Sequence, residues 1–194
     1  PVLGINLGTL GFLAEAEPEQ LEEVLEALTS GDYTVEARNT IMATIGDVSE
    51  AGLNDGVVET IDSQRRVVLD VEVNGERFLT YRADGIVVAT STGSTAYGFS
   101  AGGPLIDPRV ETLLVTPVAP HSLFDRSLVM PPDSKIVITV TDDRRVRVSV
   151  DGRVIGSLHE GDSVDIGQAD RRARFIRLSC EGFAARVTRK FGLE

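Results

Sequence analysis

The chain is poor in the residues that make covalent or metal chemistry. Cys180 is its only cysteine, which excludes an intrachain disulfide and a cysteine-based zinc site. His121 and His159 are the only histidines, which argues against a His-rich metal centre. No apolar run approaches the roughly 18 residues that a membrane helix needs, and the opening residues do not read as a signal peptide. The expectation is a cytoplasmic protein in a reducing compartment, with no membrane partner. Lysine is scarce too: Lys135 and Lys190 are the only two, and the other basic residues are arginines. With 19 basic against 30 acidic residues the net charge is -11, a poor balance for nonspecific binding of nucleic acid.

What is present reads as a soluble globular chain: 194 residues, 42% hydrophobic and 25% charged, enough for one domain or somewhat more. Pro1–Asn6 reads as a buried strand running straight into a glycine-bearing loop, Leu7–Leu13. A domain seldom opens on a core strand, so the chain is expected to lack an N-terminal portion. Pro18 suits a first helical turn. Leu21, Val24, Leu25 and Leu28 then repeat at helical spacing up to a Gly31 stop. Six glutamates lie between residues 15 and 26, several where a helix N-terminus favours negative charge.

After Gly31 the period changes to two. Val67, Leu69, Val71 and Val73 alternate, Asn74-Gly75 signals a type I′ hairpin, and Glu76–Tyr81 returns. Ile136, Ile138 and Val140 alternate, as do Val146, Val148 and Val150. Asp151-Gly152 signals a second hairpin before Val154–Leu158, and Ser163–Ile166 and Ala173–Leu178 read as short strands. Phe183–Phe191 reads as a helix. The fold class expected is mainly β: an antiparallel two-sheet domain over residues 33–178. A small α/β remnant occupies 1–32, and a C-terminal tail, 179–194, returns to it. Residues 171–190 carry seven basic residues against Glu181 alone, read as a solvated face or as a docking tail.

Chemistry concentrates after the strand Ile86–Ala89. From Thr90 to Gly103, ten of fourteen residues are Ser, Thr or Gly. Such a loop can offer backbone N–H groups and hydroxyls to phosphate or ribose, although it can also be an ordinary turn. Tyr97 adds a flat face suited to an aromatic base. Asp84 is expected at the end of the buried strand, its carboxylate facing a pocket shared with Tyr97. Asn54-Asp55 can grip ribose hydroxyls or an adenine edge, yet Asn-Asp-Gly is also a turn signal. Nothing forms a Ser-His-Asp triad. His121, in a proline-braced loop, reads as structural and His159 as turn surface.

Four segments in order resemble the C-terminal part of the NAD kinase family. They are Gly4-Ile5-Asn6 with Gly8 and Gly11-Phe12-Leu13; Leu53-Asn54-Asp55; Arg82-Ala83-Asp84-Gly85 through Thr92-Gly93-Ser94-Thr95-Ala96-Tyr97 and Ser100–Pro104; and Thr116-Pro117 through Pro120-His121-Ser122-Leu123 to Arg126. The resemblance spans essentially the whole chain. It implies an N-terminal α/β domain and a C-terminal β domain with NAD between them. The implied reaction moves the γ-phosphoryl group of ATP, with Mg²⁺, to the 2′-hydroxyl of the adenosine ribose. Asn54 and Asp55 match a pair at the adenosine end, and Asp84, with Arg82 nearby, matches the nicotinamide contact. Thr92, Thr95, Ala96, Tyr97 and Ser100 match the loop lining adenine and ribose, and Phe12 and Leu13 match the pocket wall. Arg153 stands where the family often has Gln. Assembly as a homodimer or homotetramer is implied as well.

Two departures bear on this. Asp55 is one methylene shorter than the family's Glu. The family's Gly-Gly-Asp-Gly, whose aspartate is the expected base, does not occur in the 194 residues, so no catalytic residue is assigned and the chain is expected to be inactive alone. The rival readings are a lipid-kinase relative and a non-catalytic β-rich nucleotide-binding or assembly module.

Overall fold

In a computed structural model, residues 1–8, 12–61, 65–179 and 181–193 are described. Gly11 and Cys180 lie outside them. The strands in chain order are β1 (Gly4–Ile5), β2 (Ala14–Ala16), β3 (Thr34–Arg38), β4 (Ile41–Ile45), β5 (Val48–Gly52), β6 (Asp55–Thr60), β7 (Val67–Val73), β8 (Glu76–Ala83), β9 (Gly85–Thr90), β10 (Leu113–Val118), β11 (Leu128–Met130), β12 (Ile136–Val140), β13 (Val146–Val150), β14 (Arg153–Leu158), β15 (Ser163–Gln168) and β16 (Ala173–Arg177). The helices are α1 (Leu21–Ser30), α2 (Tyr97–Ser100) and α3 (Phe183–Phe191), with 3-10 turns at Pro18–Gln20 and Gly93–Thr95.

The chain divides into two compact units: Pro1–Arg38 with Arg172–Glu194, and Asn39–Arg171. The second is a sandwich of two six-stranded sheets, ordered β11-β10-β9-β6-β13-β14 and β5-β4-β15-β12-β7-β8. Every pairing in them is antiparallel. The period-two pattern accounts for the core. Leu69, Val71, Ile136 and Ile138 of one sheet meet Ile86, Val88, Val146 and Val148 of the other, all fully buried. The hairpins at Asn74-Gly75 and Asp151-Gly152 have left-handed φ at both central residues (54° and 80°; 46° and 77°), as a type I′ turn requires.

Strand β9 is buried along its whole length. Its inward residues join the main core, while Val87 and Ala89 on the opposite face cluster with Val57 and Leu114. That second face, where α2 and the Ser/Thr/Gly loop lie, is the one that matters for function.

In the first unit, α1 ends at Gly31 in the left-handed conformation, as its spacing predicts. Only Val24 of its stripe is buried, and Leu21 and Leu25 are exposed. The opening segment is no buried core strand: it pairs through two residues with β2, and Val2 is exposed. β3 and β16 pair with each other and belong to this unit rather than to the sandwich. The reason is ionic. Glu15, its side chain 1% exposed, accepts hydrogen bonds from Arg177 and from the backbone of Leu178, and Arg186 lies 3.1 Å from it. Arg177 also reaches Glu36 at 2.5 Å. Burial pushes the Glu36 carboxyl up, but hydrogen bonds from Arg38 and Arg177 outweigh it and hold the group below its ordinary value. The basic run at 171–190 is therefore not simply a solvated face, because two of its arginines are consumed by a buried ion cluster.

Candidate functional site

On β6 and β13 the residues pointing away from the sandwich core are Asp55, Val57 and Glu59, and Arg147, Ser149 and, just beyond the strand, Asp151. The register sets Glu59 opposite Arg147 and Val57 opposite Ser149. With Asn54, Ala96, Tyr97, Gly152 and Val154 they line a cleft of ≈ 420 Å³. Tyr97, at the start of α2, contributes a partly exposed ring.

Asp151 builds one wall from its left-handed turn position. Its carboxylate accepts the backbone N–H groups of Leu53 (2.6 Å), Asn54 (2.8 Å) and Asp55 (3.1 Å), and its own N–H donates to the Asp55 carbonyl at 3.0 Å. The other wall is as tightly specified. Gly93 has no room for a side chain, since a Cβ would lie 2.1 Å from the Asn54 carbonyl oxygen. Thr90 donates its N–H to that carbonyl (2.8 Å) and its hydroxyl to the Leu53 carbonyl (2.7 Å). Asn54-Asp55 is thus no free turn: Asp55 opens β6, clamped between the β13–β14 hairpin and the loop after β9.

Asp55 is 5% exposed, and its carboxylate accepts no hydrogen bond among the described residues. Burial, and then the Asp151 charge, push its pKa up from 3.8 to about 6. Burial, followed by the charges of Glu59, Asp84 and Asp55, raises the Tyr97 phenol. Glu59 is neutralised by Arg147 at 2.6 Å. The cleft therefore offers a buried acceptor with no partner, a hydroxyl on Ser149 and an aromatic face.

The expected residues separate in space. Asn54, Asp55, Ala96 and Tyr97 line this cleft. Asp84 does not: it is exposed in the bend between β8 and β9, because its backbone is spent on Val118 and Thr60, and only its charge reaches Tyr97. Arg153 points away and pairs with Glu50 at 3.0 Å. Arg82 lines a different cleft, with His121. Ser100 is exposed on α2 and Thr92 is buried. Phe12, in the first unit, packs against Phe183 and Phe191 with Lys190 4.2 Å above its ring, and Leu13 follows it half-buried.

The Ser/Thr/Gly loop is not an open cradle for phosphate. Its hydroxyls turn inward: Ser91 donates to the Val110 carbonyl, Ser94 to that of Ser91 (2.7 Å) and Thr95 to that of Thr92 (3.1 Å). A loop laid over a sheet face must satisfy its backbone locally, and short hydroxyl side chains do so. Glu59, Arg147, Ser149 and Asp151 were missed as site residues. The available signal was the outward half of the β13 alternation, where a polar pair interrupts valines. Among the described residues no three His, Cys, Asp or Glu side chains converge as a metal site, and no helix is long and apolar enough to cross a membrane.

Comparison with known proteins agrees with this layout. Residues 53–178 match the family model of the ATP-NAD kinase C-terminal domain, and residues 1–33 that of the N-terminal domain. An NAD kinase of Nocardia farcinica is 45% identical over 100% of this chain and 61% of its own length. One of Desulforamulus reducens is 42% identical over 94% and 66%. The chain thus spans somewhat under two thirds of these relatives. Among solved structures, yeast NADH kinase complexed with NADH superposes with a TM-score of 0.92 at 29% identity, covering 100% of this chain and 59% of that one. An Archaeoglobus fulgidus NAD kinase in complex with ATP gives 0.81 at 28% identity, covering 99% and 72%.

Proposed function

The chain belongs to the ATP-NAD kinase family, and on that premise we propose that its sandwich unit holds the adenosine end of NAD in the cleft between Asp55 and Tyr97. The reaction served is transfer of the ATP γ-phosphoryl group to the 2′-hydroxyl of the adenosine ribose, giving NADP. The observation that carries this is Asp55: a buried carboxylate without a donor is costly unless a ligand supplies one. An adenine amino group or a ribose hydroxyl is such a donor. Tyr97 offers its ring to the base, and Ser149 can donate or accept beside it. Asp151 holds the backbone of Leu53–Asp55 in place, so the acceptor is positioned before the ligand arrives. We keep Asp84 at the nicotinamide end, beside Tyr97. The lipid-kinase alternative is not favoured, since the matched relatives are NAD kinases.

ATP brings the phosphoryl group, and Mg²⁺ bound to its phosphates screens their charge, as such transfers require. The Gly-Gly-Asp-Gly carboxylate is not among the 194 residues, and we infer that the chain binds NAD without phosphorylating it unaided. Self-association as a homodimer or homotetramer fits the exposed Leu123, Val129 and Phe124. The cytoplasm suits a chain with a single cysteine.

The test is NAD titration of the purified chain and its Asp55→Asn and Tyr97→Ala variants, together with an ATP, Mg²⁺ and NAD incubation read for NADP. Binding weakened about tenfold or more in each variant is expected, on the arithmetic of one lost polar or stacking contact, and no NADP. Unchanged affinity in both variants would remove the cleft from the site. NADP formed at ordinary kinase turnover would place the base inside this chain.

A further inference from the structure

A second cleft, of ≈ 340 Å³, is lined by Arg65, Arg66, Val68, Arg82, His121 and Arg144. It shares no residue with the Asp55 cleft. We propose that it is a separate binding site for a multiply charged phosphate anion of the di- or triphosphate class.

The charge pattern is the first ground. In a chain of net charge -11, four guanidinium groups converge on one cleft. Arg65, Arg66 and Arg82 have no carboxylate within ion-pair distance among the described residues. Arg144 has only Asp142, at 3.6 Å. Elsewhere in this unit arginines sit closer to their acids: Arg147 at 2.6 Å from Glu59, Arg109 at 2.6 Å from Asp107, Arg153 at 3.0 Å from Glu50. Arginines gathered without counter-ions repel one another, and an anion is what relieves that repulsion.

The second ground is that the frame is built while the side chains stay free. Arg82 on β8 stands opposite Val68 on β7. The Val68 N–H donates to the Asp142 carboxylate at 3.1 Å, and the Thr141 N–H to the Val68 carbonyl at 3.0 Å. From the other side the His121 N–H donates to the Arg82 carbonyl at 2.7 Å. Three separate connections are thereby tied to one rung of the β7–β8 ladder. Ala119, two residues before His121, holds a φ of 45°, an uncommon conformation for a residue with a Cβ, and it persists where the surroundings over-determine it.

The third ground is ligand chemistry. A guanidinium presents paired N–H donors that match two phosphate oxygens, and the His121 ring adds a further donor. Arg65, Arg66 and His121 are exposed, so salt screens the site and one ligand charge gains little. Several charges on neighbouring phosphates can meet several arginines at once, which favours a di- or triphosphate over a monoanion.

The experiment is calorimetric titration of inorganic tripolyphosphate into the full chain at fixed ionic strength. Arms with pyrophosphate, orthophosphate and citrate follow. Saturable binding of one tripolyphosphate per chain is expected, tighter than orthophosphate or citrate. The Arg65→Ala/Arg66→Ala double variant should weaken it about tenfold or more, and so should Arg144→Ala. Arg126→Ala, an exposed arginine paired with Asp125 at 3.3 Å, should leave it unchanged. NAD affinity should be the same in the parent and the Arg65/Arg66 variant, which separates this site from the Asp55 cleft. Absence of saturable binding, equal affinity for citrate, or unchanged affinity in both cleft variants would overturn the proposal.

Discussion

Replacing Asp55 by Asn should stabilise the protein while damaging its site. The carboxylate is 5% exposed, unpartnered among the described residues and near the Asp151 charge, and its pKa rises from 3.8 to about 6 on folding. Below about pH 4 the group is protonated in both the folded and unfolded chain and costs nothing. As pH rises from there to about 6 the unfolded chain ionises first, and stability is lost. Above about 6 the folded chain carries the full penalty. At 1.36 kcal/mol per pKa unit this comes to roughly 3 kcal/mol at pH 8. Asn removes the charge, keeps the shape and can donate its amide N–H toward Asp151. The variant should therefore be more stable than the parent at pH 8 by up to about 3 kcal/mol, or some 6–12 °C in Tm for a chain of this size. Near pH 4 the two should coincide. Urea denaturation at both pH values measures the difference directly. A variant that is less stable at pH 8, or more stable by the same amount at both values, would refute the reasoning. A gain in stability with a loss of NAD affinity is the signature of a residue kept for its ligand.

Two further perturbations test the frame around the cleft and the ion cluster of the first unit. Gly93→Ala would bring a methyl group 2.1 Å from the Asn54 carbonyl oxygen, so the loop or β6 must shift; a loss of about 2–4 kcal/mol in chemical denaturation is expected, and parental stability would mean that the close approach is dispensable. Glu15→Gln strips the charge from a carboxylate that is 1% exposed and faces Arg177 and Arg186. Stranding those guanidiniums should cost about 3 kcal/mol, read as earlier unfolding of the first unit, and a change under about 0.5 kcal/mol, within the ordinary range of surface substitutions, would count against the cluster.

Much of the architecture was legible in the residues. Alternation of Val67–Val73, Ile136–Val140 and Val146–Val150 needs no tertiary information, because period two can bury one face only in a strand. Asn74-Gly75 and Asp151-Gly152 name their turns for the same local reason: few residue pairs tolerate left-handed φ twice in succession. Asn54, Asp55, Ala96 and Tyr97 were found through the resemblance, and they do share one cleft. What the sequence could not decide was which side chains meet. Asp151 is 96 residues from Asp55, yet it anchors that segment through three backbone N–H groups. Ser149 and Arg147 enter the cleft only because β13 pairs with β6 in one register. The same holds for burial. Hydroxyls that could face a phosphate turn instead to their own loop, once that loop lies on a sheet and must satisfy its carbonyls. Arginines that read alike in the sequence part ways: Arg177 is buried against Glu15, while Arg65 and Arg66 stand exposed without a carboxylate. Local periodicity sets the elements, because backbone sterics and the hydrophobic effect act over a few residues. Pairing register and burial set the site, because charge, desolvation and hydrogen bonding depend on neighbours that only the folded chain brings within a few ångströms.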